Sequence, residues 1–451
     1  MSKVIKIKKG LDIKLKGAAE KVTVQSEKAS EYAVKPLDFV GLTPKLKAKP
    51  GDAVKVGTPV FFDKYHPSIK FVSPVAGVVK EVVRGERRRI LEVVIEVDEK
   101  QEYEAYASGN PAEMEPASIR ENLLNSGLWP SLIQRPYGIV ANPEDQPNDI
   151  FISGFDSAPL GVDFDMILKD QEESFAVGVA ALQKLTTGKV HLSLKDGEPV
   201  TKAFAGLKDV EYHTFAGSHP AGLVGIQIHH ISPINKGDLY WTINPQHVAL
   251  IGKLFQTGKL NPEIVVAVSG SQLAKPRYVR TILGTALGSL LKDQGINVEE
   301  SRIVSGNVLT GKAVGMNGFL GYFDSLVSVI PEGDQYEMFG WALPGLEKFS
   351  MSKTFFSWLM PKKKWDINTN LKGGARAFVM TGQYDKVLPM DILSVFLLKA
   401  ILINDIDKME QLGIYEVIEE DLALCEFVCT SKTEVQEILR GGLDTMFKEM
   451  S

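Results

Sequence analysis

Residues 212–231 read Tyr-His-Thr-Phe-Ala-Gly-Ser-His-Pro-Ala-Gly-Leu-Val-Gly-Ile-Gln-Ile-His-His-Ile, and they constrain the fold more than any other part of the chain. Gly217, Gly222 and Gly225 surround a His219-Pro220 step between two apolar runs. The backbone therefore turns sharply between two buried elements and lets another group approach it closely. Pro220 suits a first helical position, so the stretch predicts a strand, a turn and a helix entered at Pro220. The free N–H groups of such a helix start favour an anionic or carbonyl-bearing ligand. The same glycines also permit tight packing of helix on sheet, with the histidines as satisfied edge residues, and the residues alone leave both readings open.

Four of the seven histidines, His213, His219, His229 and His230, fall in this stretch, which raises the question of a metal. His213 and His219 are six apart, and His229 and His230 are adjacent on what reads as a strand, where neighbours face opposite sides. No H-x3-H or HExxH pair is present, and no metal site is expected.

A chain of 451 residues with 44% hydrophobic and 24% charged side chains has room for three or four ordinary globular domains. The net charge of -5 gives no overall bias toward nucleic acid. Two cysteines, Cys425 and Cys429, are too few for a disulfide framework and fit a reducing compartment. The first residues alternate Lys with apolar side chains and lack the apolar core of a signal peptide. No apolar run approaches the roughly 20 residues of a membrane span, so a soluble or peripheral protein is expected.

Four domains are expected, at 1–100, 101–258, 259–335 and 336–451. In the first, short alternating strands are cut by Pro50-Gly51, Gly57-Thr58-Pro59 and Ala76-Gly77, the pattern of a small β sandwich or barrel. Gly51-Asp-x-Val-x-x-Gly57 followed by Ser73-Pro-x-Ala-Gly77 resembles the biotinyl/lipoyl-carrier family, and Asp63-Lys64 resembles its modified tip. The segment from Lys64 to Gly77 is longer than that family's hairpin and contains Pro67, so Lys64 is expected to stay unmodified. The basic cluster Arg84-Gly-Glu-Arg-Arg-Arg89 reads as a solvated hairpin tip.

The second domain has a helix at 117–128 with Ile119, Leu123, Leu124 and Leu128 on one face, and buried strands at 149–153, 189–193 and 210–213. A helical stretch at 165–185 lies among them, which predicts a Rossmann-like, doubly wound α/β domain. Ligands in such folds bind at the carboxyl ends of strands, where the Gly-His-Pro loop falls. No G-x-G-x-x-G occurs, so dinucleotide binding of the usual kind is not expected. In the third domain, the strand at 265–269, a second strand and the helix entry Leu283-Gly-Thr285 resemble a soluble-ligand-binding (SLBB-like) β-grasp module. Gly306-Asn-Val-Leu-Thr-Gly311-Lys312 approaches a phosphate-binding loop, but Ala313 removes the Mg²⁺-ligating hydroxyl, and a Gly-rich hairpin is expected instead.

The fourth domain opens with an aromatic segment at 339–365 closed by Lys362, Lys363 and Lys364, which suits a surface meeting headgroups or an integral partner. A core helix is expected at 389–404 from Leu393, Phe396, Leu397, Ala400 and Ile401. A ferredoxin-type cluster needs C-x2-C-x2-C-x3-C. Counting back from Cys429 and Cys425, the other ligand positions are Leu422 and Glu419, and Thr430 stands where the usual Pro would be. The C-terminal helical domain thus resembles a degenerate iron-sulfur domain that keeps its scaffold.

Together with Phe215-Ala-Gly-Ser-His-Pro-Ala-Gly-Leu-Val-Gly225, Trp241-Thr-Ile-Asn244, residues 380–393 and Glu419-Glu-Asp-Leu-Ala-Leu-Cys-x-Phe-Val-Cys429, these modules resemble the NqrA family of the bacterial Na⁺-translocating NADH:quinone reductases. They are similar also to an electron-transfer subunit of the related ferredoxin:NAD oxidoreductase and to the NADH-dehydrogenase flavin subunit. The resemblance implies a peripheral subunit on the cytoplasmic face of the bacterial inner membrane, with five other subunits as partners, some of them integral. It implies that the complex uses NADH, flavins, an iron-sulfur centre and quinone, while this chain binds no cofactor. No catalytic residue is expected here. Gly217, His219, Pro220, Gly222 and Gly225 are the candidate quinone contacts. The alternative is an assembly subunit that touches no substrate.

Overall fold

A computed structural model describes residues 3–335 and 337–450. The apolar runs read as buried strands form the middle of a seven-stranded sheet. Its order is Ile5–Lys6, Val210–Ala216, Val190–Lys195, Asp149–Ser153, Tyr240–Thr242, Ile133–Arg135, Ile139–Val140. The first five run parallel to their neighbours, and the last two pair antiparallel. Covered on both faces, the central strands need apolar side chains on each. Ile150, Ile152, Val190 and Leu192 belong to one core, and Phe151 and Phe215 to another.

On the first face lie the helices Glu172–Gln183 and Pro245–Thr257. They approach closely because Gly178 and Gly252 face one another's chain: a methyl on Gly252 would stand 1.7 Å from the Ser174 carbonyl oxygen. Asn244 caps the second helix by accepting from the Gln246 N–H, Pro245 occupies its first turn, and Gly258 ends it in the left-handed conformation. The helix expected at 165–185 is two helices, Phe164–Ile167 and Glu172–Gln183. Asp163 caps the first, and Asp170 takes φ 62 between them, which breaks the run.

The barrel comprises a four-stranded sheet, Glu31–Val34, Ile90–Val97, Gly77–Arg84 and Ala53–Val54, and a three-stranded one, Pro44–Leu46, Pro59–Asp63 and Lys70–Val72. Lys64 lies exposed at the turn between the last two strands. The β-grasp sheet runs Lys312–Val314, Ser301–Ser305, Leu326–Pro331, Glu263–Ser269, Arg277–Ile282, Glu20–Gln25. Residues 306–311 are the hairpin that Ala313 suggested, with Ser305 opposite Lys312 and the Lys312 ammonium on the Leu37 carbonyl at 2.8 Å.

The N-terminal segment does not stay within the barrel. Ile5–Lys6 joins the α/β sheet, Glu20–Gln25 joins the β-grasp sheet, and only from Glu31–Val34 does the chain enter the barrel. Between the first two strands, Lys16 N–H donates to the Trp365 carbonyl and Trp365 N–H to the Lys14 carbonyl, at 2.9 and 2.7 Å.

The C-terminal region is helical, with Ser394–Leu402, Ile406–Gln411, Ala423–Val428 and Val435–Met450. The first of these is shorter than expected and one-sided. Leu397, Leu398 and Ala400 are buried, whereas Leu393 and Phe396 are exposed, so those two do not belong to the core. Among the described residues no helix is long and apolar enough to cross a membrane.

Candidate functional site

The loop after Val210–Ala216 is where three parts of the chain are tied together. Ile7 N–H donates to the Ala216 carbonyl at 2.7 Å, and Leu11 N–H to the His219 carbonyl at 2.8 Å. His219 N–H donates to Asp12 Oδ1 at 2.9 Å. Ser157 Oγ accepts the Gly222 N–H at 2.8 Å and lies 3.0 Å from His219 Nδ1. Burial keeps His219 neutral and pushes its pKa down to about 4.

Each glycine of the loop has a partner within the chain. A methyl on Gly217, whose φ is +148, would stand 2.5 Å from the Ile7 carbonyl oxygen. One on Gly222 would meet the Ser157 nitrogen at 2.7 Å, and one on Gly225 the Asp421 carboxylate at 2.3 Å. The helix expected at Pro220 begins instead at Val224, as Val224–Ile231. Pro220 is buried in successive turns, and Gly222 has given its N–H to Ser157, which postpones the helix. His229 and His230 therefore lie on a helix, not a strand. The short apolar run around Ile226 and Ile228 did not reveal its period. His229 Nδ1 meets Glu416 Oε2 at 2.7 Å, while its Nε2 accepts the Asp391 N–H at 3.2 Å. His230 Nδ1 is bonded to the Ile226 carbonyl at 2.9 Å. His213 lies apart from both, against His191 in the sheet.

Arg135, only 1% exposed, crosses from the α/β sheet to the C-terminal helices. Its Nη1 donates to Asp421 Oδ2 and its Nη2 to Glu420 Oε1, both at 2.7 Å. Arg440 holds both oxygens of Glu419, at 2.5 and 2.6 Å. Of the four positions that the sequence aligns with cluster ligands, Glu419 is thus committed to an arginine and Leu422 is a buried alkyl group. Cys425 is fully buried, which pushes its thiol up and keeps it protonated. Cys429 does not share a helical face with it. It ends the helix Ala423–Val428 in extended backbone, and its Sγ accepts the Thr433 N–H at 3.4 Å.

One grouping carries no motif and was not legible beforehand. Where barrel, α/β and β-grasp units meet, a cavity of about 40 Å³ is bounded by Val34, Phe71, Leu128 and Leu283, with Lys35, Asp38 and Tyr322 as its polar members. Tyr322 Oη is buried with no hydrogen-bond partner. Its ring stacks on His247 at 5.0 Å between centroids. Burial pushes His247 down to about 4. A neutral imidazole behind an unpaired phenol, beside apolar walls, is suited to receiving a carbonyl.

Three family models match the chain in succession. The NqrA N-terminal barrel-sandwich hybrid domain matches residues 5–98, the NqrA second alpha/beta domain 114–260, and the NQRA C-terminal domain 265–315. The corresponding subunit of the Na(+)-translocating NADH-quinone reductase of Neisseria meningitidis serogroup B is 39% identical over 449 residues, spanning 99% of this chain and 100% of the relative. The chain belongs to the NqrA family of Na⁺-translocating NADH-quinone reductase subunits. Relatives of the same name from Yersinia pestis, 39% identical over 99% of this chain and 100% of theirs, and Rhodopirellula baltica, 38% identical over 99% and 98%, agree. A solved NAD+-reducing [NiFe]-hydrogenase in the air-oxidized state overlaps 74% of this chain and 61% of its own with a TM-score of 0.38 and 12% identity, too remote to carry an argument. As an NqrA family member, the chain is one subunit of a multi-subunit oxidoreductase complex.

Proposed function

We propose that this chain is the peripheral subunit of its reductase complex, seated on the cytoplasmic face against integral subunits, and that it lines the quinone-reducing end without carrying a redox group. The observation behind the seating is the distribution of exposed apolar side chains. Most of the large hydrophobics that the described residues leave exposed fall between Met338 and Ile403, among them Phe339, Trp341, Leu346, Trp358, Leu359 and Phe396. A soluble surface rarely concentrates such groups unless another body covers them, and Lys362 and Lys364 stand exposed beside them. Trp358→Asp with Leu359→Asp, and separately Lys362→Glu with Lys364→Glu, are expected to leave the chain folded and to lower its recovery with the other subunits. Full recovery of the complex from both variants would remove this reading.

Quinone contact is assigned to the cavity at Tyr322. The relatives are named as quinone reductases, and an unpaired buried phenol offers a donor to a quinone carbonyl while Val34, Phe71 and Leu283 accommodate its apolar body. At about 40 Å³ the space suits water-sized molecules, so the walls must part to admit a ring. Tyr322→Phe in the assembled complex is expected to raise the apparent KM for quinone and to weaken photoaffinity labelling by a quinone analogue. Wild-type labelling and kinetics would favour the alternative of a subunit that only braces its neighbours. The pairing of Glu419 with Arg440 and the apolar Leu422 support the reading that residues 419–429 are a former cluster scaffold.

A further inference from the structure

On the face of the α/β sheet shared with Phe151, the parallel register sets His191 opposite Glu211, and His213 follows two residues along the same strand. Residues two apart on a strand share a face, so all three side chains converge although neither strand alone holds a ligand motif. His191 Nδ1 lies 2.9 Å from His213 Nε2 and 3.6 Å from Glu211 Oε2. One ligand atom from each residue falls within 4.8 Å of the others. The His191 ring is pinned by stacking on Phe151 at 4.5 Å and on His213 at 5.1 Å. Its far nitrogen, Nε2, is buried without a completed hydrogen bond, and Asp149 Oδ1 stands 3.4 Å from it.

We propose that His191, Glu211 and His213 form a binding site for a divalent ion of the zinc class, with a fourth position open to solvent. Two imidazoles and one carboxylate are the donor set of open tetrahedral zinc sites, with Zn–N distances of about 2.0–2.1 Å. Ligand atoms around such an ion stand about 3.3 Å apart, so the histidine pair opens by a few tenths of an ångström to admit it. Asp149 is placed as the carboxylate that orients the far nitrogen of a metal-bound histidine, and the unfinished bond at Nε2 is the one that metal binding completes. Lys189, ion-paired with Glu211 and 60% exposed, is the internal cation that an incoming ion displaces. The bound ion would cross-link the strands Val190–Lys195 and Val210–Ala216 at the end opposite the Gly-His-Pro loop.

The test uses the full chain without a histidine tag, treated with EDTA and titrated with Co²⁺, whose four-coordinate complexes absorb in the visible. One Co²⁺ per chain, displaced by Zn²⁺, is expected. Glu211→Gln and His213→Asn should abolish the band, Asp149→Asn should weaken binding by about 10–100-fold, and Lys189→Ala should tighten it. Circular dichroism and melting of each variant in EDTA check the fold. Because Lys189 is at the surface, that variant reads out even if a histidine change unfolds the sheet. No stoichiometric Co²⁺ on the wild-type chain, or binding indifferent to Glu211 and Lys189, overturns the site and leaves a hydrogen-bonded histidine pair.

Discussion

His219→Gln separates a structural histidine from a proton donor. In the folded chain the pKa of His219 is about 4, held down by burial. In the unfolded chain it returns to about 6.5, a difference worth about 3 kcal/mol at about 1.4 kcal/mol per unit. The native state prefers the neutral ring, so the unfolded state binds the extra proton. This contribution is therefore complete above pH 6.5, is lost as pH falls toward 4, and changes no further below that. The substituted glutamine cannot titrate, and at pH 7 the variant should lose about 1 kcal/mol through an imperfect replacement of the Ser157 contact. The stability gap between wild type and variant should then close, and reverse, between pH 6.5 and pH 4, by up to about 3 kcal/mol in total. His247 titrates in both proteins and cancels. Urea denaturation at stepped pH measures the gap, with NMR titration of the imidazole giving its midpoint directly. A midpoint near 6.5, or a gap that does not change with pH, would refute the reasoning and return His219 to consideration as a proton donor to quinone.

Two further outcomes follow from the C-terminal contacts. Asp421→Ala leaves Arg135 with Glu420 as its remaining carboxylate and should destabilise the junction by about 1.5–3 kcal/mol, read as a lower melting temperature with early loss of the C-terminal helices; an unchanged melt would show that Glu420 and water suffice for Arg135. Replacing Cys425 and Cys429 together by Ala should leave quinone reduction by the assembled complex near wild type, at a cost of about 1–2 kcal/mol in stability; lost turnover with normal assembly would reveal a redox role for these thiols.

What the sequence made legible were features settled within a few residues. Ala313 decides that residues 306–311 are a hairpin rather than a phosphate-binding loop. The helix Val224–Ile231 was entered four residues early and its end, His229 and His230, read as strand, because eight residues with Ile226, Gln227 and Ile228 in succession fit either period. Leu393 and Phe396 were misplaced because apolar spacing shows which residues are hydrophobic, not whether the chain itself covers them. The sites proved hardest to read. Glu211 and His213 meet His191 only through the pairing of parallel strands, and Tyr322 reaches His247 across a domain boundary. In the Gly-His-Pro loop the glycines read as allowing a close approach, but spacing did not reveal that Ile7, Ser157 and Asp421 are what approaches them.

The path of the N-terminal segment bears on the order in which the protein is made. A ribosome releases Ile5–Lys6 and Glu20–Gln25 first, yet their partners, Phe215 and the strand Arg277–Ile282, leave the exit tunnel far later. Until then two strand edges have nothing to pair with, while the barrel that follows them completes itself from local hairpins. The newborn chain thus carries unpaired edges through most of its synthesis, the condition under which strands find the wrong partner and chaperones are most needed.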